Sequence, residues 1–493
     1  MAQRQSGIRI SKKAFLTSFF VLLALMLGAG ILAAAIPSGH YERVQGEFGL
    51  QVVPDTYSVA EKSAYPFWRW FTAPLEVLAS SDGLQAIIII AFIMIVGGAF
   101  AVLDKASVLK EAVSIIVRRY ASRRYLLLAI VTLFFMGIGS LLGIFEETVP
   151  LVPVAIALSL SLGWDIYVGL GMSILATGFG FSAAIANPFS IGTAQRLAGL
   201  PLFSGSGFRI IVFVCVYVLF YLWLAAMAKR SESRKSGAEL AETAAGGSGA
   251  AIPDAMAAIP DAVSGADGNL KLSGLRPGRG AVFFGISVLI LIVVIMTVSL
   301  TRTFADYSMP IIALIFLAAG FGSGLVANLS FRDCLKAFGS GVAGILPGVA
   351  LILMAMAVKH IIVSGGIMDT ILYGASSIIG ESSGYGAAAL IYLFTLGMNF
   401  FIGSATAKAF LLMPLLAPLA DLAGISRQLA VQAFAFGDGF SNMIYPTNAV
   451  LLIALGVAGL SWPEWFRKTW LLQAAVLVLT MGLLMVGVMA GYA

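Results

Sequence analysis

The chain has 493 residues, 60% of them hydrophobic and only 11% charged, with a mean hydropathy of +0.98. A soluble domain carries about 25% charged residues, so this composition excludes one and points to an all-α polytopic membrane protein built from apolar runs of about 20 residues. The net charge of +6 comes from basic residues beside apolar runs, where they set orientation, and gives no reason to expect a nucleic-acid partner.

The first apolar run, Phe15 to Ile36, follows Arg4, Arg9, Lys12 and Lys13. Its length of about 22 residues suits a spanning helix better than a signal peptide. Residues 1–37 are therefore an N-terminal transmembrane helix of the cell inner (plasma) membrane, with the N-terminus cytoplasmic. Residues 38–83 are polar and aromatic, with Tyr41, Tyr57, Trp68 and Trp70, and read as an extracytoplasmic loop region. The second span, Leu84 to Leu103, ends on a basic stretch from Lys105 to Arg124.

Residues 84–228 form one unit. After the Leu84 span, two apolar arms flank the polar tip Gly143-Ile144-Phe145-Glu146-Glu147-Thr148-Val149-Pro150, the pattern of a re-entrant hairpin entering from the cytoplasm. The next apolar run breaks at Ser182–Pro188, and Arg209 to Met227 crosses back. Residues 229–280 are Ala/Gly/Ser-rich and repeat themselves at Ala251-Ile252-Pro253-Asp254-Ala255 and Ala258-Ile259-Pro260-Asp261-Ala262, which predicts a disordered cytoplasmic linker. Residues 281–341 hold connecting transmembrane helices. Residues 342–493 form a second unit, with a hairpin tip at Gly403-Ser404-Ala405-Thr406-Ala407-Lys408 and a break from Gly437 to Asn448. Trp462, Trp465, Arg467 and Lys468 are expected to anchor its cytoplasmic end.

Landmarks recur about 260 residues apart. Gly163 matches Gly424, Gly178-Phe-Gly-Phe-Ser matches Gly437-Asp-Gly-Phe-Ser, and Ala198-Gly-Leu matches Ala458-Gly-Leu. Arg209 matches Arg467, and Gly97-Gly98 corresponds loosely to Gly365-Gly366. Basic loops place the first hairpin's entry inside and the second's outside, so the expected fold is two inverted repeats, each with a re-entrant hairpin and a discontinuous helix at mid-membrane. Such repeats give two equivalent conformations, the basis of alternating access. That favours a carrier over a channel.

Carboxylates at membrane depth cost at least about 2.5–3.5 kcal/mol and are usually paired, wetted or functional. Glu146 and Glu147 are therefore candidates for both substrate binding and ion coupling. Asp438, with Ser441, is a candidate for coupling to Na⁺ or H⁺, a role compatible with capping the following half-helix. Ser182, Asn187, Ser404, Thr406, Asn442, Thr447 and Asn448 supply neutral donors and acceptors for substrate. Lys408 is the candidate cation for a substrate carboxylate, or else a snorkelling side chain.

Gln195-Arg196 and Arg427-Gln428 read as surface turns. The two cysteines form no disulfide framework, no metal-binding His-Glu-x-x-His occurs, and no cofactor is implied beyond the coupling ion. Gly380-Glu381-Ser382-Ser383-Gly384 fits Gly-x-Ser-x-Gly without its strand–turn–helix context, so no catalytic residue is assigned.

Several of these stretches resemble the YfcC-type family of the ion transporter superfamily, a group associated with basic amino acid antiport and C4-dicarboxylate transport. They are Gly143 to Pro153, Asn187-Pro188-Phe189, Ala198 to Gly205, Ala417 to Asp421, Arg427-Gln428 and Gly437-Asp-Gly-Phe-Ser-Asn. The resemblance implies a scaffold plus a transport domain, elevator-type movement and a homodimer. The second tip, Ile402-Gly403-Ser404-Ala405-Thr406-Ala407-Lys408, departs from the family's Ser/Gly-rich pattern. The function expected is secondary active transport of a small carboxylate-bearing metabolite, an amino acid first and a C4-dicarboxylate second. Channel and intramembrane hydrolase are remote alternatives.

Overall fold

In a bilayer, apolar segments must satisfy their own backbone hydrogen bonds, so they fold as helices. The computed structural model describes residues 12–46, 49–62, 65–244, 278–301, 308–382 and 384–492. Arg4, Arg9 and the Ala251/Ala258 repeat lie outside them. Among the described residues, eight helices are long and apolar enough to cross a membrane.

The chain opens with α1 (Lys12–Ala35). The region expected to be extracytoplasmic departs from the all-α expectation. In it β1 (Gly39–His40) pairs antiparallel with β4 (Ser58–Val59), and β2 (Arg43–Gly46) with β3 (Gly49–Val52), before α2 (Arg69–Glu76). The first unit then runs through α3 (Gly83–Lys105), α4 (Val108–Tyr120) and α5 (Arg124–Leu142). A 3₁₀ tip at Glu146–Leu151 leads to α6 (Val152–Ser161). The discontinuous helix follows as α7 (Ile166–Leu170), a π turn and α8 (Ala176–Ser182). Beyond the break, a π turn at Pro188–Gly192 leads to α9 (Thr193–Leu197) and α10 (Ser206–Ala244). Helix α10 continues to Ala244, so residues 229–244 of the expected linker are helical.

The connecting helices are α11 (Arg279–Thr301) and α12 (Ser308–Val326). Then come α13 (Phe331–Ser364), α14 (Met368–Gly380), α15 (Gly384–Asn399), α16 (Ala405–Leu422) and α17 (Arg427–Gly439). A 3₁₀ turn at Phe440–Met443 precedes α18 (Ala449–Val457) and α19 (Trp462–Met489). At 34 residues, α13 is about 51 Å long at 1.5 Å per residue, and it runs unbroken through the boundary expected at 341/342.

One layer is formed by α1, α3, α12 and α13. A Cβ on Gly320 of α12 would come 2.9 Å from Ala99 of α3, and one on Gly341 of α13 would come 2.5 Å from the Gly97 carbonyl. The Gly97-Gly98 pair thus serves a helix crossing, whereas Gly365-Gly366 ends a helix, with Gly366 at φ +71°. The two pairs are not equivalents.

The Tyr41–Tyr57 region is fastened to α14. Buried Asp369 of α14 accepts from the Tyr41 amide at 2.9 Å and from Arg43 at 2.7 Å, and the Tyr57 ring stacks on Tyr373 at 4.2 Å.

In the second layer α5 lies along α8 as α15 lies along α17, and α10 lies beside α19. The two halves also share terminators. Gly163 and Gly424 take φ +88° and +72°, and Gly199 and Gly459 take +70° and +68°. Asp165 caps α7 and Ser426 caps α17, while Asn187 and Asn448 cap the helical turns beyond the two breaks.

This register pairs Gly178 with Gly439, two residues beyond the partner suggested by the Gly-x-Gly-Phe-Ser likeness. The contacts obey it. Gly178 lies against Met443, Ser182 lies against Gly439, and Phe179 meets Phe440 edge-on at 5.4 Å. In this register the two pairs meet crosswise, 178 with 443 and 182 with 439.

Candidate functional site

The two breaks free backbone groups that must find partners. At the first, Ser140 of α5 is the main one. Its hydroxyl donates to the Ala183 carbonyl at 3.0 Å and accepts from the Ile185 amide at 2.9 Å. Buried Arg209 donates to the Ile185 carbonyl at 2.8 Å, to the Phe203 carbonyl at 3.0 Å and to the Tyr492 hydroxyl at 3.1 Å. Asn187 Oδ1 accepts from the amides of Phe189 and Ser190 at 2.8 and 3.2 Å. Ser182 bonds back to the Gly178 carbonyl at 2.7 Å, so its hydroxyl serves its own helix. Asn187 Nδ2 and Ser190 Oγ are buried with no hydrogen-bond partner among the described residues.

At the second break the indole of Trp465 donates to the Met443 carbonyl at 2.8 Å, and that of Trp462 to the Ile444 carbonyl at 2.7 Å. Trp465 is 1% exposed, so it fills a break instead of anchoring a membrane interface. Arg467, expected to match Arg209, is exposed. The break's side chains form a directed chain. Asn448 Nδ2 donates to Asn442 Oδ1 at 2.9 Å, and Asn399 Nδ2 donates to the same oxygen at 2.8 Å and to Ser441 Oγ at 2.7 Å. Lys408 donates to Asn399 Oδ1 and, at 2.6 Å, to Asp438 Oδ1. Lys408 and Asp438 are both 0% exposed.

The tips reach across to the opposite half. Ser404 caps α16, and Thr406 donates to the Phe189 carbonyl of the first break at 3.2 Å. Gly143, at φ +69°, turns the chain out of α5 so closely against Asn187 that a side chain there would clash with its amide. Glu147 accepts from the Phe145 amide at 3.2 Å. The first tip lies beside α18, and Glu146, half-buried, sits within the electrostatic reach of Asp438. Thr447 is half-buried in the second break.

The structure thus gathers Asp438, Lys408, Ser441, Asn442 and Asn448 into one cluster, with Glu146 of the first tip in its electrostatic reach. It sets Ser182 aside. Lys408, expected to meet a substrate carboxylate, is engaged with Asp438 instead. The sequence reading missed Asn399, Ser140 and the break-filling role of Arg209.

It also misplaced Gln195 and Gln428. Both are buried, and Gln195 Nε2 donates to Gln428 Oε1 at 3.0 Å while Arg427 donates to the Ala198 carbonyl at 2.8 Å. These contacts tie α9 of one half to α17 of the other.

A family model for C4-dicarboxylate anaerobic carriers (DcuC) matches residues 15–489. The chain belongs to this family. The YfcC-type resemblance read from the sequence is borne out as well. The chain is 28% identical to the Escherichia coli (strain K12) protein named "Putative basic amino acid antiporter YfcC" over 408 residues, covering 80% of this chain and 76% of that one. An uncharacterized Haemophilus influenzae protein is 26% identical over 392 residues, covering 78% and 72%.

Among solved structures, the Alcanivorax borkumensis YdaH transporter aligns with a TM-score of 0.44 at 19% identity, covering 97% of this chain and 98% of that one. Neisseria gonorrhoeae MtrF aligns at 0.38 and 15% identity, covering 96% and 94%. As a member of this carrier family, the chain is a multi-pass membrane transporter.

Proposed function

We propose that this protein is a secondary active transporter that carries a small carboxylate-bearing metabolite, an amino acid first, by alternating access with ion coupling or exchange. The observation that carries this reading is the convergence of both tips and both breaks on one polar centre, each tip touching the opposite half. The shared caps and the reciprocal Gly178–Met443 and Ser182–Gly439 contacts support inverted repeats with the tips as re-entrant hairpins. The family resemblance adds elevator-type movement and a homodimer to the proposal.

The charge balance favours an amine-bearing substrate. Glu146, Glu147 and Asp438 set three carboxylates against one ammonium, Lys408, which is already paired. A substrate amine relieves that excess, whereas a dianion adds to it. The substrate's own carboxylate then goes to neutral donors, and Asn187 Nδ2 and Ser190 Oγ are buried there with hydrogen bonds to offer. The family's description favours a second reading, a C4-dicarboxylate, which this centre would accept only with accompanying protons or cations.

The test is counterflow in proteoliposomes with labelled amino acids and dicarboxylates. Amino acids are expected to exchange, with Glu146→Gln/Glu147→Gln raising the half-saturating amine concentration at least tenfold. Exchange of dicarboxylates alone would establish the second reading. Saturation-free conductance in a planar bilayer would establish a channel.

A further inference from the structure

The Lys408–Asn399–Asp438 cluster is built as a cation site whose cation is already covalently present. Asn399 Oδ1 and Asp438 Oδ1 are oxygen ligands of the kind that hold hard cations, and both point at Lys408 Nζ. The amide of Asn399 is held in this sense because its nitrogen is taken by Ser441 Oγ at 2.7 Å and Asn442 Oδ1 at 2.8 Å. Asn442 is held in turn, since its own nitrogen donates to the Asp438 carbonyl at 3.2 Å and its oxygen accepts from Asn448. Asn448 also caps α18 through the Leu451 amide at 3.0 Å. One chain of hydrogen bonds therefore links the ammonium to the half-helix beyond the break. The lysine comes from a neighbouring element, α16, and spends its full stem reaching oxygens on α15 and α17.

We propose that the Lys408 ammonium is a tethered substitute for a free alkali cation, so that this carrier works without Na⁺ and couples through a proton exchanged at the Lys408–Asp438 pair. The proposal rests on the carrier reading above. The proton adds to Asp438 Oδ2, which is buried with no hydrogen-bond partner among the described residues. The carboxylate becomes a carboxylic acid, its charge is cancelled, and the Lys408 ammonium loses its counter-ion. Release of the same proton restores the pair, so one proton is taken up and one released per cycle.

Among the described residues, Asp438 bears electrostatically on Glu146 of the first tip, as Glu147 does. Helix α15, the 3₁₀ turn and α18 present the uncharged Asn399, Ser441, Asn442 and Asn448. A substrate amine arriving at Glu146 is therefore placed to influence the protonation of Asp438.

Two measurements on the full-length chain decide this. In detergent, thermal unfolding is followed as NaCl replaces choline chloride at constant ionic strength. Wild type is expected to show no saturable Na⁺ effect, whereas Lys408→Ala, with its oxygens left facing a gap, gains a saturable stabilisation that Lys408→Ala/Asp438→Asn lacks. A saturable Na⁺ shift in wild type, or none in folded Lys408→Ala, overturns the proposal.

In proteoliposomes, wild-type uptake is expected to depend on an imposed pH gradient and to change less than twofold when Na⁺ replaces choline. A larger Na⁺ stimulation overturns the proposal even if Lys408→Ala does not fold. Absence of any uptake counts against the carrier reading, and the unfolding measurement still judges the tethered cation.

Discussion

The two breaks solve the same backbone problem with different side chains. At the first, Ser140 and Arg209 satisfy the freed groups, with no carboxylate among the described partners. At the second, two indoles take the carbonyls, and this leaves Asn399, Asn442 and Asn448 free to organise an ion pair. The freed backbone groups of the first break are met by neutral and basic side chains, with Asn187 Nδ2 and Ser190 Oγ left over as buried polar groups. The second holds a charge that can change. Equal backbone plans therefore permit unequal chemistry, because capping and carbonyl satisfaction need only one polar group each, and which group supplies it is open.

The largest expected effect separates the two directly. Asp438→Ala leaves a buried ammonium without its counter-ion, which costs about 3–5 kcal/mol. Adding Lys408→Met should recover most of that loss in chemical or thermal unfolding. No recovery would mean that Asp438 stabilises the break by some route other than the ion pair.

Ser140→Ala is next, because it strands the Ala183 carbonyl, at about 1–3 kcal/mol, while the Ile185 amide keeps the Ser140 carbonyl at 3.2 Å. It is expected to lower stability without altering the pH dependence of transport, whereas Asn399→Ala should alter both. Identical pH profiles for the two variants would erase the distinction between the breaks. Trp465→Phe keeps an aromatic ring but removes the pyrrole ring and its bond to the Met443 carbonyl, for a loss of about 0.5–1.5 kcal/mol from the bond, plus that of the cavity left behind, in the same assay.

The smallest effect serves as a control away from both breaks. Arg69, bonded at 2.6 Å, holds the carboxyl of Glu76 down from 4.5 to about 2, with Thr72 and His360 assisting. A lowered carboxyl contributes fully above its ordinary range and loses that contribution as pH falls through about 2. Glu76→Gln should therefore cost about 0.2–1 kcal/mol near neutral pH, a difference that vanishes in acid. A difference that persists unchanged at pH 2 would show that packing, not charge, is responsible.

Most of the fold was legible because hydrocarbon leaves the chain few choices. Apolar runs marked the helices, and glycines, prolines and asparagines marked the breaks at Ser182–Pro188 and Gly437–Asn448. Hydropathy could not reveal α4 or α14, which are short and mixed in composition, nor the strand pairs of the Tyr41–Tyr57 region. Register failed by two residues at Gly178 because similarity of small residues is weaker than the caps, and caps declare themselves only once Asp165, Ser426, Asn187 and Asn448 are seen accepting amides.

In the site, carboxylates and a lysine at membrane depth were visible from charge alone. Their pairing was not, because Lys408 and Asp438 lie 30 residues apart and sequence does not say which way a lysine reaches. Asn399 gave almost no signal, being one polar residue at the end of an apolar arm. Gln195 and Gln428 looked like turn residues because each needs the other, from the opposite half, to be buried.

The Lys408–Asp438 pair also has an electrical meaning. Both charges belong to the chain, so any distance they travel through the membrane field in one half of a cycle they retrace in the other. A membrane potential does about 2.3 kcal/mol of work per elementary charge per 100 mV, but over a closed cycle it does none on a bound pair that never leaves. The current carried per turnover by this protein is then a direct count of the charge on its substrate and on whatever crosses with it.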